Sequence, residues 1–153
     1  YHMATSIKFL PYGVTVDEFQ HEVYENPELT PKERRMKWLE IERKYLPSRY
    51  YEEIPELDEG LFFYRQGHLF SVPFYYIDYT LAQVCAFQFW KKANENREKA
   101  WKEYLHLCKL GGTKPFLELV KEANLENPFE DGTISNIVPE LRKYIDSVDA
   151  TKF

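Results

Sequence analysis

Cysteine, glycine and methionine are scarce in this chain: its 153 residues hold 2 Cys, 6 Gly and 2 Met. Two thiols cannot make a disulfide scaffold. Cys85 and Cys108 each lie in an apolar helical context, which fits reduced, buried thiols of a cytosolic protein rather than a bridge. No apolar run approaches the roughly 18 residues of a membrane span, and no secretory signal opens the chain. The expectation is a cytoplasmic protein with no membrane partner. A net charge of −5 without a basic stripe argues against nucleic acid as a partner. Alternating runs long enough for a sheet, internal repeats and low-complexity tracts are all missing.

Aromatic residues, by contrast, are abundant. They make up 17% of the chain, with 12 Tyr and 11 Phe, as suits a core built on large rings or a surface that meets another domain. The length fits one domain. Tyr1-His2-Met3 reads as a cloning scar, leaving residues 4–153 as a single helical domain.

Helix signals recur along the chain, and the fold class they predict is all-α. Thr15 and Glu18 have capping-box spacing, predicting a helix from Val16 to Asn26 that Pro27 stops. Thr30, Pro31 and Glu33 repeat the signature and open a helix through Tyr45, with Met36, Trp38 and Leu39 on its apolar side. Pro47 to Pro55 reads as a loop. A short helix from Leu57 to Gln66 is expected to bury Leu61, Phe62 and Tyr64 or their neighbours, and Gly67 breaks it. A helix from Pro73 to Ala93 carries Phe74, Ile77, Leu81, Val84, Cys85, Phe87, Gln88 and Phe89, so it is expected to be the most buried. Asn96 or Asn94 caps a helix with Trp101, Tyr104, Leu105, Cys108 and Leu110 along one side, ended by Gly111-Gly112. Thr113 caps Lys114–Asn124, and a last helix spans Ile134 to Val148 with a kink near Pro139.

Residues 67 to 83 carry the chemistry. His68 follows Gly67 in an expected turn. Pro73 suits the first helical position, and Tyr75, Tyr76 and Tyr79 are spaced to put three phenols on one side of the new helix. Clustered phenols beside an imidazole can aim O–H and N–H donors at one point, as oxyanion stabilisation requires. Composition alone favours the plainer reading of a tyrosine stripe as core packing with its hydroxyls at the rim.

The segment Pro73 to Trp90 resembles the tyrosine helix of the oligoendopeptidase F and thimet oligopeptidase group of zinc oligopeptidases. The likeness to the oligoendopeptidase F side extends through Pro11-Tyr12-Gly13-Val14 and Val16-Asp17-Glu18-Phe19-Gln20-His21. It continues in Lys114-Pro115-Phe116-Leu117-Glu118-Leu119 and Pro128-Phe129-Glu130-Asp131-Gly132. It covers most of the chain and implies the C-terminal part of a zincin-like oligopeptidase catalytic domain. The resemblance makes His68 a contact to the peptide near the scissile bond, and Tyr79 the hydroxyl that stabilises the tetrahedral intermediate. Between His68 and Tyr76 the spacing differs by about one residue from the thimet-type relatives, where Val72 or Pro73 stands at a tyrosine's place. Either Tyr75 or Tyr76 is then the substrate-binding tyrosine.

No His-Glu-x-x-His occurs in the chain. His21-Glu22-Val23-Tyr24-Glu25 begins like that motif, but Glu25 replaces its second histidine, and two ligands are too few for a zinc site. His21 is expected to be an ordinary helix residue. Glu52, Glu53, Glu56, Asp58 and Glu59 read as a solvated acidic face. The resemblance places the zinc ligands and the general-base glutamate upstream, on the same polypeptide. It implies a bacterial cytoplasmic metalloendopeptidase acting on short peptides. This chain would be an inactive fragment that holds no zinc, with self-association through its uncovered aromatic surface as an expectation. The rival readings are a non-enzymatic helical interaction domain and a small stand-alone metal or peptide binder.

Overall fold

The computed structural model describes residues 1–51, 54–149 and 151. Among them there is no strand, and the chain is all-α. No helix of the described residues is long and apolar enough to cross a membrane. The chain divides into two compact units, Tyr1–Thr80 and Leu81–Phe153.

The first unit begins with α1, His2–Glu25, which runs far upstream of the expected start at Val16. Pro11 lies inside it, where the missing N–H leaves one carbonyl of the ladder without its usual donor. The expected Thr15/Glu18 capping box does not form, because both side chains are used elsewhere. Thr15 Oγ1 donates to the Pro11 carbonyl at 2.8 Å, and Glu18 accepts from Lys44 Nζ at 2.8–2.9 Å and from the Tyr45 hydroxyl. A buried apolar stripe, Val16 and Phe19, holds the helix in place of a cap.

Helix α2, Pro31–Tyr45, starts where local sequence predicts. Thr30 Oγ1 accepts from the Glu33 N–H, and Glu33 Oε2 accepts from the Thr30 N–H at 2.8 Å, the reciprocal capping box. It buries Trp38, Leu39 and Ile41, but Met36 is 55% exposed, contrary to its expected place on the apolar side. Against α1 the core closes as a ring cluster. Trp38 meets Phe19 edge-on at 5.2 Å and stacks near Phe62 at 6.4 Å, while Phe63 lies 4.8 Å from Phe19. Trp38 is wholly buried, so truncating it to Ala should cost about 3–5 kcal/mol.

The expected helix from Leu57 to Gln66 is two pieces. α3, Pro55–Asp58, ends before Gly60 at φ 84, and a 3-10 helix spans Leu61–Arg65. A Cβ on Gly60 would lie 2.2 Å from the Arg35 carbonyl oxygen, so both the left-handed backbone and the close approach need glycine. The split buries Phe62 and Phe63 and leaves Tyr64 exposed. Of the acidic group, Glu56, Asp58 and Glu59 are exposed, with Glu59 3.5 Å from Arg35, while Glu52 and Glu53 lie outside the described residues.

One turn, α4 (His68–Ser71), precedes α5, Tyr76–Glu95. The start expected at Pro73 is displaced because Phe74 adopts φ 62, off the helical path. The Phe74 N–H donates to the buried Gln20 Oε1 at 2.6 Å, which fixes this turn to α1. Phe74 itself is exposed, and only part of the expected apolar set on α5 is buried: Val84, Phe87 and Gln88.

In the second unit, α6 (Arg97–Leu110) starts at Asn96, whose side chain accepts from the Lys99 N–H at 3.0 Å, and stops at Gly111, φ 51. Its expected apolar side faces outward: Trp101 is 57% exposed, and Tyr104, Leu105 and Cys108 are exposed with it. Both cysteines are free. Cys85 is only half-buried and Cys108 is exposed, so the expectation of two buried thiols fails. α7 is Phe116–Glu122 and begins at Pro115 without the expected Thr113 cap. α8 is Val138–Asp146, where Pro139 stands in the first turn and starts the helix instead of kinking it. Gln88 secures the segment between them, accepting from the Glu126 N–H at 2.7 Å and donating to its carbonyl at 3.0 Å.

Candidate active-site wall

The expected site residues converge in the first unit. His68 is the first residue of α4, Tyr75 directly precedes α5, and Tyr76 and Tyr79 lie on the first turn of α5. The phenols therefore gather around a turn–helix junction, not along one helix as the spacing suggested. The His68 ring lies 6.5 Å from Tyr75, 5.0 Å from Tyr76 and 5.8 Å from Tyr79. Tyr79 is in turn 5.2 Å from Tyr75 and 5.6 Å from Tyr76, with both pairs edge to face.

The four rings differ in exposure. Tyr75 is 46% and Tyr79 42% exposed, whereas Tyr76 is half-buried beneath them. Tyr76 packs on Phe9 at 5.8 Å and Tyr12 at 5.9 Å. Its place in the packing explains its phenol, which burial, and then the neighbouring Tyr79, raise above the ordinary value. The Tyr79 phenol is also raised, first by a hydrogen bond with Tyr75 and then by desolvation. Both hydroxyls are protonated donors at neutral pH.

Spacing along the chain did not reveal two further members of this cluster. Gln66 Nε2 lies 2.6 Å from His68 Nδ1, and the Tyr12 hydroxyl donates to Gln66 Oε1 at 2.8 Å. The sequence places Gln66 two residues before His68, a signal that could have been read. Tyr12 is 54 residues away from Gln66, and nothing local announces that pairing. Below Tyr12, the Arg49 guanidinium sits 3.8 Å from the Phe62 ring centroid and 3.4 Å from the buried Glu42 carboxylate. Tyr51 donates to Glu42 at 2.6 Å, so the buried charge has partners.

Among the described residues, no three His, Cys, Asp or Glu side chains gather where they could hold an ion. His21 Nε2 lies 3.5 Å from Asp17 and its ring 5.0 Å from Phe74, the surroundings of an ordinary helix residue.

The sequence profile of peptidase family M3 matches residues 2–138. Among solved structures, one described as an oligoendopeptidase F shares 56% identity at a TM-score of 0.93, over 99% of this chain and 27% of its own. PZ peptidase A with an inhibitor shares 55% at 0.92, over 97% of this chain and 26% of its own. An oligoendopeptidase F from Bacillus anthracis shares 47% at 0.78, over 99% and 24%. No curated protein matches the chain. The chain thus spans about a quarter of the length of the solved relatives, and the resemblance to the oligoendopeptidase F group holds. With the profile and these neighbours in agreement over nearly all its residues, the chain belongs to peptidase family M3.

Proposed function

We propose that this chain is the C-terminal part of an oligoendopeptidase catalytic domain and forms the wall of the cleft that stabilises the oxyanion. The observation that carries the reading is the convergence of His68 with two half-exposed phenols, Tyr75 and Tyr79, within 6.5 Å. A carbonyl under attack gathers negative charge on its oxygen. Pre-aimed O–H and N–H donors then lower the barrier without any reorganisation at the moment of reaction. Tyr79 donates from its hydroxyl and His68 from its ring, while the substrate chain lies along Tyr75 or Tyr76.

Short peptides are the proposed substrates. Zinc and the general base would be held by an upstream part of the same polypeptide, since no residue set among the described residues fits a zinc site. The chain by itself is accordingly proposed to be inactive. Two free thiols suit a reducing compartment and support a bacterial cytoplasmic placement.

The test is a peptide-cleavage assay on the polypeptide extended upstream, comparing His68→Ala and Tyr79→Phe with Tyr104→Phe on α6 as a control. Selective loss in the first two is the expected result. Unchanged rates in both would overturn the wall role, and an extended protein that cleaves nothing would overturn the peptidase reading.

A further inference from the structure

We infer that Gln66 and Tyr12 are positioning residues that hold the His68 imidazole with its proton on Nε2, making it an N–H donor to the substrate side. The inference rests on the proposed role of His68 in the cleft, and it adds which ring nitrogen acts and what decides it.

The argument is a count of donors. A neutral imidazole has one N–H and one acceptor nitrogen, and the partner of one nitrogen sets the role of the other. Gln66 bridges two groups with opposite needs: its oxygen meets the Tyr12 hydroxyl at 2.8 Å, and its amide nitrogen meets His68 Nδ1 at 2.6 Å. In this arrangement the phenol donates to the amide oxygen and the amide donates to Nδ1. Nδ1 must then be the acceptor, and the ring proton sits on Nε2.

Turning the amide over would give Nδ1–H to Gln66 Oε1 and a Gln66 N–H to the Tyr12 oxygen. The Tyr12 hydrogen would lose its acceptor, and among the described residues its hydroxyl has no other hydrogen-bond partner. Tyr12 is half-buried, and burial first, then Tyr76, push its phenol up to about 12. A donor left unsatisfied there is costly. The observed arrangement uses every donor that faces the bridge except the second amide hydrogen. It also leaves Nε2–H uncommitted, since among the described residues no hydrogen bond engages that nitrogen.

The consequence is chemical. An Nε2–H can donate to a developing oxyanion. An Nε2 lone pair would repel it. Gln66 is thus to His68 what an orienting partner is to any catalytic imidazole, and Tyr12 keeps Gln66 in the productive orientation.

Nitrogen-15 NMR of the histidine-labelled chain tests this directly. The 4 histidines are assigned by single substitution, at a pH where the imidazole is neutral. The expected wild-type spectrum shows a pyridine-like Nδ1 and a pyrrole-like Nε2 for His68. Gln66→Glu offers only an acceptor, so Nδ1 should acquire a proton and lose its pyridine-like signal. Tyr12→Phe frees the amide to turn and should give a mixture of tautomers. A protonated Nδ1 in the neutral wild type, or a His68 signal unchanged by Gln66→Glu in a helical, folded variant, overturns the inference.

In the extended polypeptide, Gln66→Glu should lower kcat and kcat/KM together by roughly 10–100-fold, with KM nearly constant. The two ideas fail separately. A reversed wild-type tautomer sinks the positioning inference whatever the assay gives. The expected tautomer together with a fully active His68→Ala sinks the proposed role of His68 itself.

Discussion

A Cβ added to Gly13 would stand 1.9 Å from Thr80 Oγ1. Gly13 lies inside α1, and Thr80 is the buried residue next to Tyr79 on α5. Thr80 is β-branched and short, so it cannot swing away as a long side chain would. Gly13→Ala should therefore destabilise the chain by about 1–3 kcal/mol from overpacking, offset in part by alanine's helix preference of roughly 1 kcal/mol. Denaturant midpoints decide the sign, and Thr80→Ala in the same chain should recover most of the loss. A Gly13→Ala protein more stable than wild type would mean the helices part easily here.

Tyr79→Phe in the extended polypeptide removes one hydroxyl and keeps the ring. If that hydroxyl donates to the oxyanion, kcat should fall about 10²–10³-fold, or roughly 2.7–4 kcal/mol, with KM almost unchanged. Tyr76→Phe should do less because its ring is packed on Phe9 and Tyr12. Tyr104→Phe on α6 should do nearly nothing. A Tyr79→Phe enzyme within about threefold of wild type would return this tyrosine to plain packing.

Alkaline pH should destabilise the fold through its buried phenols. The Tyr12 phenol is raised from 10.0 to about 12, first by burial. The folded state thus holds the proton more tightly than the unfolded chain. The associated stability is complete below pH 10 and is lost as pH rises from 10 toward 12. Tyr51, raised by burial and then by its bond to Glu42, adds to the same trend. Urea midpoints should fall between about pH 8 and about pH 11, and Tyr12→Phe should flatten the fall. An equal slope in the variant would remove Tyr12 from the explanation.

The chain by itself should neither retain zinc after dialysis nor cleave a quenched fluorescent peptide, since the donors among its described residues do not converge. Metal analysis and the cleavage assay check both points. Tightly bound stoichiometric zinc, or cleavage that a chelator abolishes, would mean that a ligand set had been overlooked.

The outward rings of α6 predict self-association. Trp101 is 57% exposed beside Tyr104 and Leu105, a surface of the kind that soluble monomers usually cover. Light scattering at rising concentration should show oligomers, and Trp101→Glu should reduce them. A strictly monomeric chain that binds no hydrophobic dye would contradict this.

The sequence by itself determined the helical class, the family and the identity of the clustered rings. Those features follow from local rules or from whole segments. The Thr30–Glu33 box, the Asn96 cap and the Gly111 stop each close within a few residues, so their chemistry is visible in the text of the chain. His68, Tyr75, Tyr76 and Tyr79 are likewise near neighbours, and their grouping survives even though the helix begins at Tyr76 and not at Pro73. Tertiary structure decided everything that depends on a distant partner. Thr15 and Glu18 give up their capping pattern for Pro11, Lys44 and Tyr45, so α1 continues through Pro11 and Gly13. Gly60 splits a predicted helix because the Arg35 carbonyl leaves no room for a side chain. The turn at Phe74 is held by Gln20, and the bridge at His68 is closed by Tyr12, each from 54 residues away. A hydrogen bond of that reach exists only after the core has brought α1 beside the tyrosine junction, and no periodicity in the chain encodes it.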